Sequence, residues 1–367
     1  MESIVRESGP PTPRMPARAP SVAFGGCDYL GLSRHPRVIG AAVRAAGRHG
    51  LSTSASRTTT GDTIEHRTLE HELAAFLQSG SAMLTLDGLT ANMAAMQTLA
   101  GRVSAAVLDE RAHPTLALAA TSAALPVRSY RHRDASDAAR VARSVGGPVV
   151  LGTDGVFTAD GGIAPIAALM DALPCERSAL VVDDCHGFMV LGESGRGTTN
   201  AAGLVPEERL LVTTTLAKGL GCSGGVVAGP RELLEAARTR ISVYVCTTPA
   251  SPALIGAARE ALRVASDEPA RRVRLFENAD RFARALDRAG FEQTSDPATP
   301  IFAFWTAHES DMAELRQRLS ARGFDLPLMS YPSGPAACYF RASVSADHVE
   351  SQLDAFDDAL AACRGRS

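Results

Sequence analysis

Five short apolar runs punctuate the chain up to Thr215: AMLTLD (Ala82 to Asp87), AAVLD (Ala105 to Asp109), PVVLGTD (Pro148 to Asp154), ALVVDD (Ala179 to Asp184) and LLVTTT (Leu210 to Thr215). They are apolar along their length rather than alternating, the pattern of strands buried on both faces. Helical stretches such as TANMAAMQTLA and PIAALMDAL lie between them. Strands alternating with helices predict an α/β architecture, a mostly parallel central sheet flanked by helices. A long helical region follows from Pro252 to about Val273, and beyond it the pattern changes. TPIFAFW, FDLPLM and ACYFRASVS read as strands mixed with the helical runs ESDMAELRQRLSARG and ADHVESQLDAFDDALAACRG, which predicts a smaller α+β C-terminal domain.

Composition narrows the class. A chain of 367 residues is long enough for one large core and a smaller lobe. Its net charge of −3 argues against nucleic acid as a partner, because a phosphate-binding surface needs a basic excess. No apolar run reaches the ~20 residues that cross a bilayer, so no membrane partner is expected. The proline-rich start SGPPTPRMPARAP lacks the apolar stretch of a signal peptide and reads as a mobile arm. The seven cysteines are odd in number and scattered, with no C-x-x-C pair, which suggests reduced thiols and a cytoplasmic location.

Charge usage singles out one residue. Of 37 basic side chains, Lys218 in LVTTTLAKGLGC is the only lysine. A bias toward arginine explains the absences but not the survivor: lysine can be desolvated, deprotonated and used as a nucleophile or Schiff-base partner, and arginine cannot. Lys218 stands at the exit of an apolar strand, where parallel-sheet enzymes place ligands. Three other strand ends carry chemistry. In LTLDGLTAN the amides of Gly88, Leu89 and Thr90 open a helix, which makes either an ordinary turn or a phosphate site. His113 follows a strand in VLDERAHPT and is either structural or catalytic. In VVDDCHGF, Asp183 and His186 end an apolar strand, where the carboxylate either caps a helix or meets a positive charge. A carboxylate for a ring nitrogen, a flat imidazole, a phosphate-binding helix start and a lysine together are what pyridoxal 5′-phosphate (PLP) requires.

The segments DYLGLSRHPRVIGAA, SRTTTGDTIEHRTLEHELAAFL, TDGVFTADGGIAPI, VDDCHGFMVLGESGRG, TLAKGLGCSGG and FRASVSADH resemble the α-oxoamine synthases, from about Phe24 to the carboxyl terminus. The resemblance implies a PLP-dependent transferase of fold type I, with an N-terminal arm and small-domain segment over 1–44, a large PLP-binding domain over 45–265 and a C-terminal small domain over 266–367. It implies decarboxylative condensation of an amino acid with an acyl thioester, delivered by coenzyme A or an acyl carrier protein, to an α-amino ketone. Lys218 would then hold the cofactor covalently and Asp183 would pair with its ring nitrogen. His186 and Thr158 would lie near its phenolate oxygen and His113 would stack on the ring. Gly88, Leu89 and Thr215 would hold the phosphate, with Thr247 reaching in from the second subunit of a homodimer. Arg341 would grip the amino-acid carboxylate, a bidentate task suited to guanidinium, with Arg57 as the alternative.

Some positions depart from the family pattern. Cys27 stands where an asparagine that helps hold the substrate is usual, Asp87 and Leu89 replace a serine and an aromatic, and STSASR lacks glycines before Arg57. An aminotransferase or carbon–carbon lyase of the same fold would keep Lys218 and Asp183 but would not need His113 and TDGVFTADG in these places. A PLP-binding regulator would need an attached DNA-binding domain, for which the arm is too short.

Overall fold

The computed structural model describes residues 21–306, 309–331 and 334–364. The proline-rich arm expected at the start lies outside the described residues. After β1 (Val22–Ala23) come the strands of the main sheet: β2 (Ser81–Thr85), β3 (Ala105–Asp109), β4 (Val127–Tyr130), β5 (Val149–Asp154), β6 (Ala179–Asp183), β7 (Leu210–Thr215) and β8 (Gly225–Gly229). Their order is β2-β8-β7-β6-β5-β3-β4, and β8 alone runs antiparallel to its neighbours. The five apolar runs supply β2, β3, β5, β6 and β7, every residue of which is buried.

Two strands of this sheet escape the hydrophobic pattern. β4 (VRSY) is an edge strand with Val127, Arg128 and Ser129 exposed, so it carries no apolar run. β8 (GVVAG) is hidden behind the glycines that follow Lys218. It returns beside β7, and a Cβ at Gly225 would overlap the carbonyl oxygen of Asp87, so only glycine fits there. The first apolar run also stops short of Asp87, whose side chain accepts from the Thr90 amide at 2.8 Å and caps the helix Gly88–Leu99.

The C-terminal part holds an antiparallel sheet of β9 (Glu292–Thr294), β10 (Ile301–Trp305), β12 (Leu328–Met329) and β13 (Tyr339–Ser343), in the order β12-β13-β10-β9. The run FDLPLM is not one strand. Phe324 and Asp325 form β11, which pairs in parallel with β1, and the chain breaks at Pro327 before β12. The helical region from Pro252 is likewise two helices, Pro252–Asp267 and Ala270–Ala289, separated by Glu268 and Pro269. Aromatic rings fill this core: Phe282 and Phe356 stack at 4.9 Å, and Phe24, from the start of the described chain, lies 5.0 Å from Phe282. At roughly 1.5–3 kcal/mol for each fully buried side chain, these contacts fasten the segment before Cys27 onto the C-terminal sheet. Ser343 N donates to the Phe24 carbonyl at 2.7 Å and strengthens the tie.

Candidate active site

The parallel strands deliver their carboxyl ends to one edge, the place where open α/β sheets bind ligands. A cleft of about 180 Å³ opens there, lined by Gly88, Leu89, His113, Thr115, Asp154, Val156, Thr158, Asp183, Cys185, His186, Thr215 and Lys218. Eight of the sequence-derived site residues therefore share one cavity, drawn from positions spread over more than a hundred residues of chain.

Asp183 ends β6 as a buried carboxylate, which is costly without partners. Asn92 Nδ2 donates to its Oδ2 at 2.6 Å and the Cys185 amide donates to its Oδ1 at 3.1 Å. Asn92 is itself fixed, because Thr213 Oγ1 donates to its Oδ1 at 2.5 Å. Its Nδ2 also reaches Thr115 Oγ1 at 3.1 Å, and that hydroxyl bonds His113 Nδ1 at 2.8 Å. One polar chain thus joins the carboxylate to the imidazole. His113 caps the helix Pro114–Ser122, and its backbone amide donates to Asp154 Oδ1 at 2.9 Å. Burial holds the His113 pKa below its ordinary value despite the nearby Asp183 charge, so the ring is neutral at pH 7.

Lys218 lies in the tight turn between β7 and β8, where Gly221 N donates to the Lys218 carbonyl at 3.0 Å. Its Nζ is 2.8 Å from His186 Nε2, and His186 Nδ1 is 2.6 Å from the Tyr29 hydroxyl. Burial, with the charge of Lys218 next, drives the His186 pKa well below its ordinary value, and burial pushes the Tyr29 phenol well up. A neutral imidazole has one N–H, so one ring nitrogen of His186 donates while the other accepts, which couples the Lys218 and Tyr29 contacts.

Arg341, on β13, meets the cleft-lining Thr158 from the C-terminal sheet. Its Nε donates to the Thr158 carbonyl at 3.1 Å, and Nη1 approaches Ser343 Oγ at 3.2 Å and Cys27 Sγ at 3.6 Å. Among the described residues Nη2 is buried without a hydrogen-bond partner.

Arg57 and Thr247 stand elsewhere. Arg57 is spent within the chain, on Asp62 at 2.6 Å and Glu70 at 2.5 Å, and Arg238 joins Glu70 at 3.1 Å. This network clamps the helix Ile64–Phe76 to β2 through a 2.7 Å bond from the Leu84 amide to Glu70. Arg57 therefore has no free edge for a carboxylate, which corrects the expectation that it could stand in for Arg341. Thr247 donates to the Val243 carbonyl at 2.7 Å and lines a separate small cavity with Arg57 and Leu86. Asn92, Thr115, Asp154 and Tyr29 join the site unannounced by the sequence reading. Asn92 lies one helical turn beyond Gly88, so the helix start that offered phosphate amides also pointed to it.

Comparisons with known proteins fit this geometry. The model of the aminotransferase class I and II family matches residues 20–360. The chain is similar to the 8-amino-7-oxononanoate synthase of Methylococcus capsulatus, 37% identical over 345 residues that cover 94% of this chain and 89% of the relative. The enzyme of the same name from Mycobacterium sp. strain KMS is 35% identical over 355 residues, covering 95% and 92%. Among solved structures, SPT with PLP as its internal aldimine superposes with a TM-score of 0.88 at 25% identity, covering 94% of this chain and 87% of that one. The chain belongs to the α-oxoamine synthases.

As an α-oxoamine synthase it is a PLP-dependent acyltransferase of fold type I that condenses an amino acid with an acyl thioester. The match to named synthases over nearly the whole chain sets aside the aminotransferase and lyase alternatives. Among the described residues no helix is long and apolar enough to cross a membrane, and all seven cysteines of this synthase are free.

Proposed function

We propose that this α-oxoamine synthase holds PLP in the cleft around Lys218 and binds its amino acid there through Arg341, working as a cytoplasmic homodimer. The residues present fit the cofactor. Asp183 is a buried carboxylate oriented by two donors, suited to a protonated ring nitrogen. Gly88 and Leu89 offer helix-start amides to the phosphate beside the Thr215 hydroxyl, and His113 and Thr158 complete the walls. Bound PLP supplies an electron sink for a carbanion at the amino-acid α-carbon.

The observation that carries the reading is the amine of Lys218 held 2.8 Å from a neutral His186 in the same cleft as Asp183. The Lys218 amine, oriented by the Tyr29–His186 pair, would take the α-proton of the amino acid bound in the cleft. His113, kept neutral by burial, can donate a hydrogen bond to the thioester carbonyl without adding a charge. The net reaction consumes amino acid and acyl thioester and yields α-amino ketone, carbon dioxide and free thiol. Thr247, which lines no part of its own chain's cleft, is assigned to the partner's phosphate site.

The test is to incubate purified holoenzyme with a panel of amino acids and acyl-coenzyme A esters of graded length, measuring carbon dioxide and free thiol. Stoichiometric release of both with one pair supports the reading. Thiol release without carbon dioxide would oppose it. Sedimentation at working concentration should show a dimer, and a fully active monomer would remove Thr247 from the site.

A further inference from the structure

The guanidinium of Arg341 is divided between unequal tasks. Nε is taken by the Thr158 carbonyl and Nη1 by Ser343 and Cys27, while Nη2 has no hydrogen-bond partner among the described residues although Arg341 is only 8% exposed. A buried cationic nitrogen left open selects an anion. A carboxylate spanning the Nη1 and Nη2 edge would have to share Nη1 with the Cys27 sulfur, since the bidentate geometry needs both.

The surroundings of Cys27 decide what that sharing costs. Arg341 faces the sulfur from β13, Lys218 faces it from the turn after β7, and Tyr29 lies beside it in the same segment, with His186 bonded to both Lys218 and Tyr29. Asp28 turns its carboxylate away to the amides of Leu32 at 2.9 Å and Ser33 at 3.1 Å. Burial, the largest influence, raises the thiol pKa, but the charges of Arg341 and Lys218 together with hydrogen bonding from Arg341 and Tyr29 hold Cys27 below its ordinary value. Whenever the sulfur, 3.6 Å from Nη1, is a thiolate, it neutralises the guanidinium that the carboxylate needs.

We propose that Cys27 couples amino-acid binding to proton uptake: thiolate and carboxylate compete for Arg341, and the carboxylate docks when the Cys27 sulfur has taken a proton from solvent. Cys27 is thus a positioning residue that sets the affinity for the amino acid and its dependence on pH. The proposal rests on the reading of Arg341 as the carboxylate site.

Linkage makes the coupling reciprocal, so it can be read from either partner. Holoenzyme is alkylated with iodoacetamide between about pH 6 and 10, and modification of the Cys27 peptide is followed by mass spectrometry. The rate should show an inflection at the thiol titration, and saturation with the amino acid of highest turnover from the panel above should move that inflection upward. Steric shielding alone would slow alkylation without moving it. Over the same range the amino-acid Kd should rise by up to about tenfold per pH unit above the inflection, the limit for one linked proton. Both Cys27→Ser and Cys27→Ala should flatten that slope. An inflection indifferent to the amino acid, or a Cys27→Ser enzyme with the parent slope, overturns the coupling. Arg341→Ala separates the two levels: if it leaves amino-acid affinity unchanged, the carboxylate-site reading itself fails, whereas a large loss alongside an immobile inflection defeats the coupling alone.

Discussion

Asp154 and Asp183 are register partners at the ends of the adjacent parallel strands β5 and β6, both side chains buried. Two carboxylates so placed do not both ionise cheaply. Asp183 has the Asn92 and Cys185 donors, whereas Asp154 is held well above the carboxylate range by burial first and by the Asp183 charge second. Burial therefore favours the neutral form of Asp154, whose Oδ1 accepts from the His113 backbone amide.

Asp154→Asn should then be nearly silent in geometry, since the amide oxygen still accepts from His113. A raised native pKa means that the contribution of Asp154 to stability is full below the ordinary carboxylate pKa of about 4 and is lost as pH rises toward the native value. The asparagine variant should escape that loss, with a thermal midpoint at pH 7 no lower than the parent's. Asp154→Ala strands the His113 amide and should cost about 1–3 kcal/mol. Denaturation scans from pH 5 to 8 compare the two, and an asparagine variant less stable than the alanine one would reverse the assignment.

Asn92→Ala removes the donor to Asp183 and the link through Thr115 to His113. A hydrogen bond to a charged group is worth about 1.5–3 kcal/mol, or roughly ten- to a hundredfold. PLP affinity, measured by titrating dialysed enzyme, should fall by that factor. Unchanged affinity would show that Asp183 is oriented without Asn92.

Arg341→Ala should raise the amino-acid KM by a comparable ten- to hundredfold, the scale of a lost charge-assisted pair, while PLP remains bound. Because Arg57 is committed to Asp62 and Glu70, Arg57→Ala should instead lower the thermal midpoint. Steady-state kinetics beside a thermal scan distinguish these outcomes.

Lys218→Arg keeps the charge and nearly the size but removes the amine that can lose a proton. Borohydride should fix one PLP per parent chain, mapped to the Lys218 peptide, and none to the variant. Turnover should drop by several orders of magnitude, as when a covalent and acid–base group is lost. A variant turning over near the parent rate would make the lone lysine an accident of composition.

Much of this was legible before folding. Runs such as ALVVDD announce strands buried on both faces because a central parallel strand has no solvent side to mark with polar residues. Lys218, Asp183, His186, His113 and Gly88 could be singled out because each follows such a run, and the end of a buried strand is where a polar side chain finds a cleft. Strands β4 and β8 were hidden for different physical reasons: an edge strand needs no apolar run, and β8 has a short apolar run between glycines, the first of which, Gly225, must pass close to Asp87. Only the tertiary structure decided which partners these residues meet. Tyr29, Asn92 and Asp154 are ordinary letters in the sequence. They become site residues because the sheet order sets β5 beside β6 and the helix Gly88–Leu99 places Asn92 against Asp183. The same holds for the charges: nothing local in the sequence distinguishes Arg57 from Arg341, and it is long-range packing that pairs the first with two carboxylates and leaves the second with an open nitrogen beside Cys27.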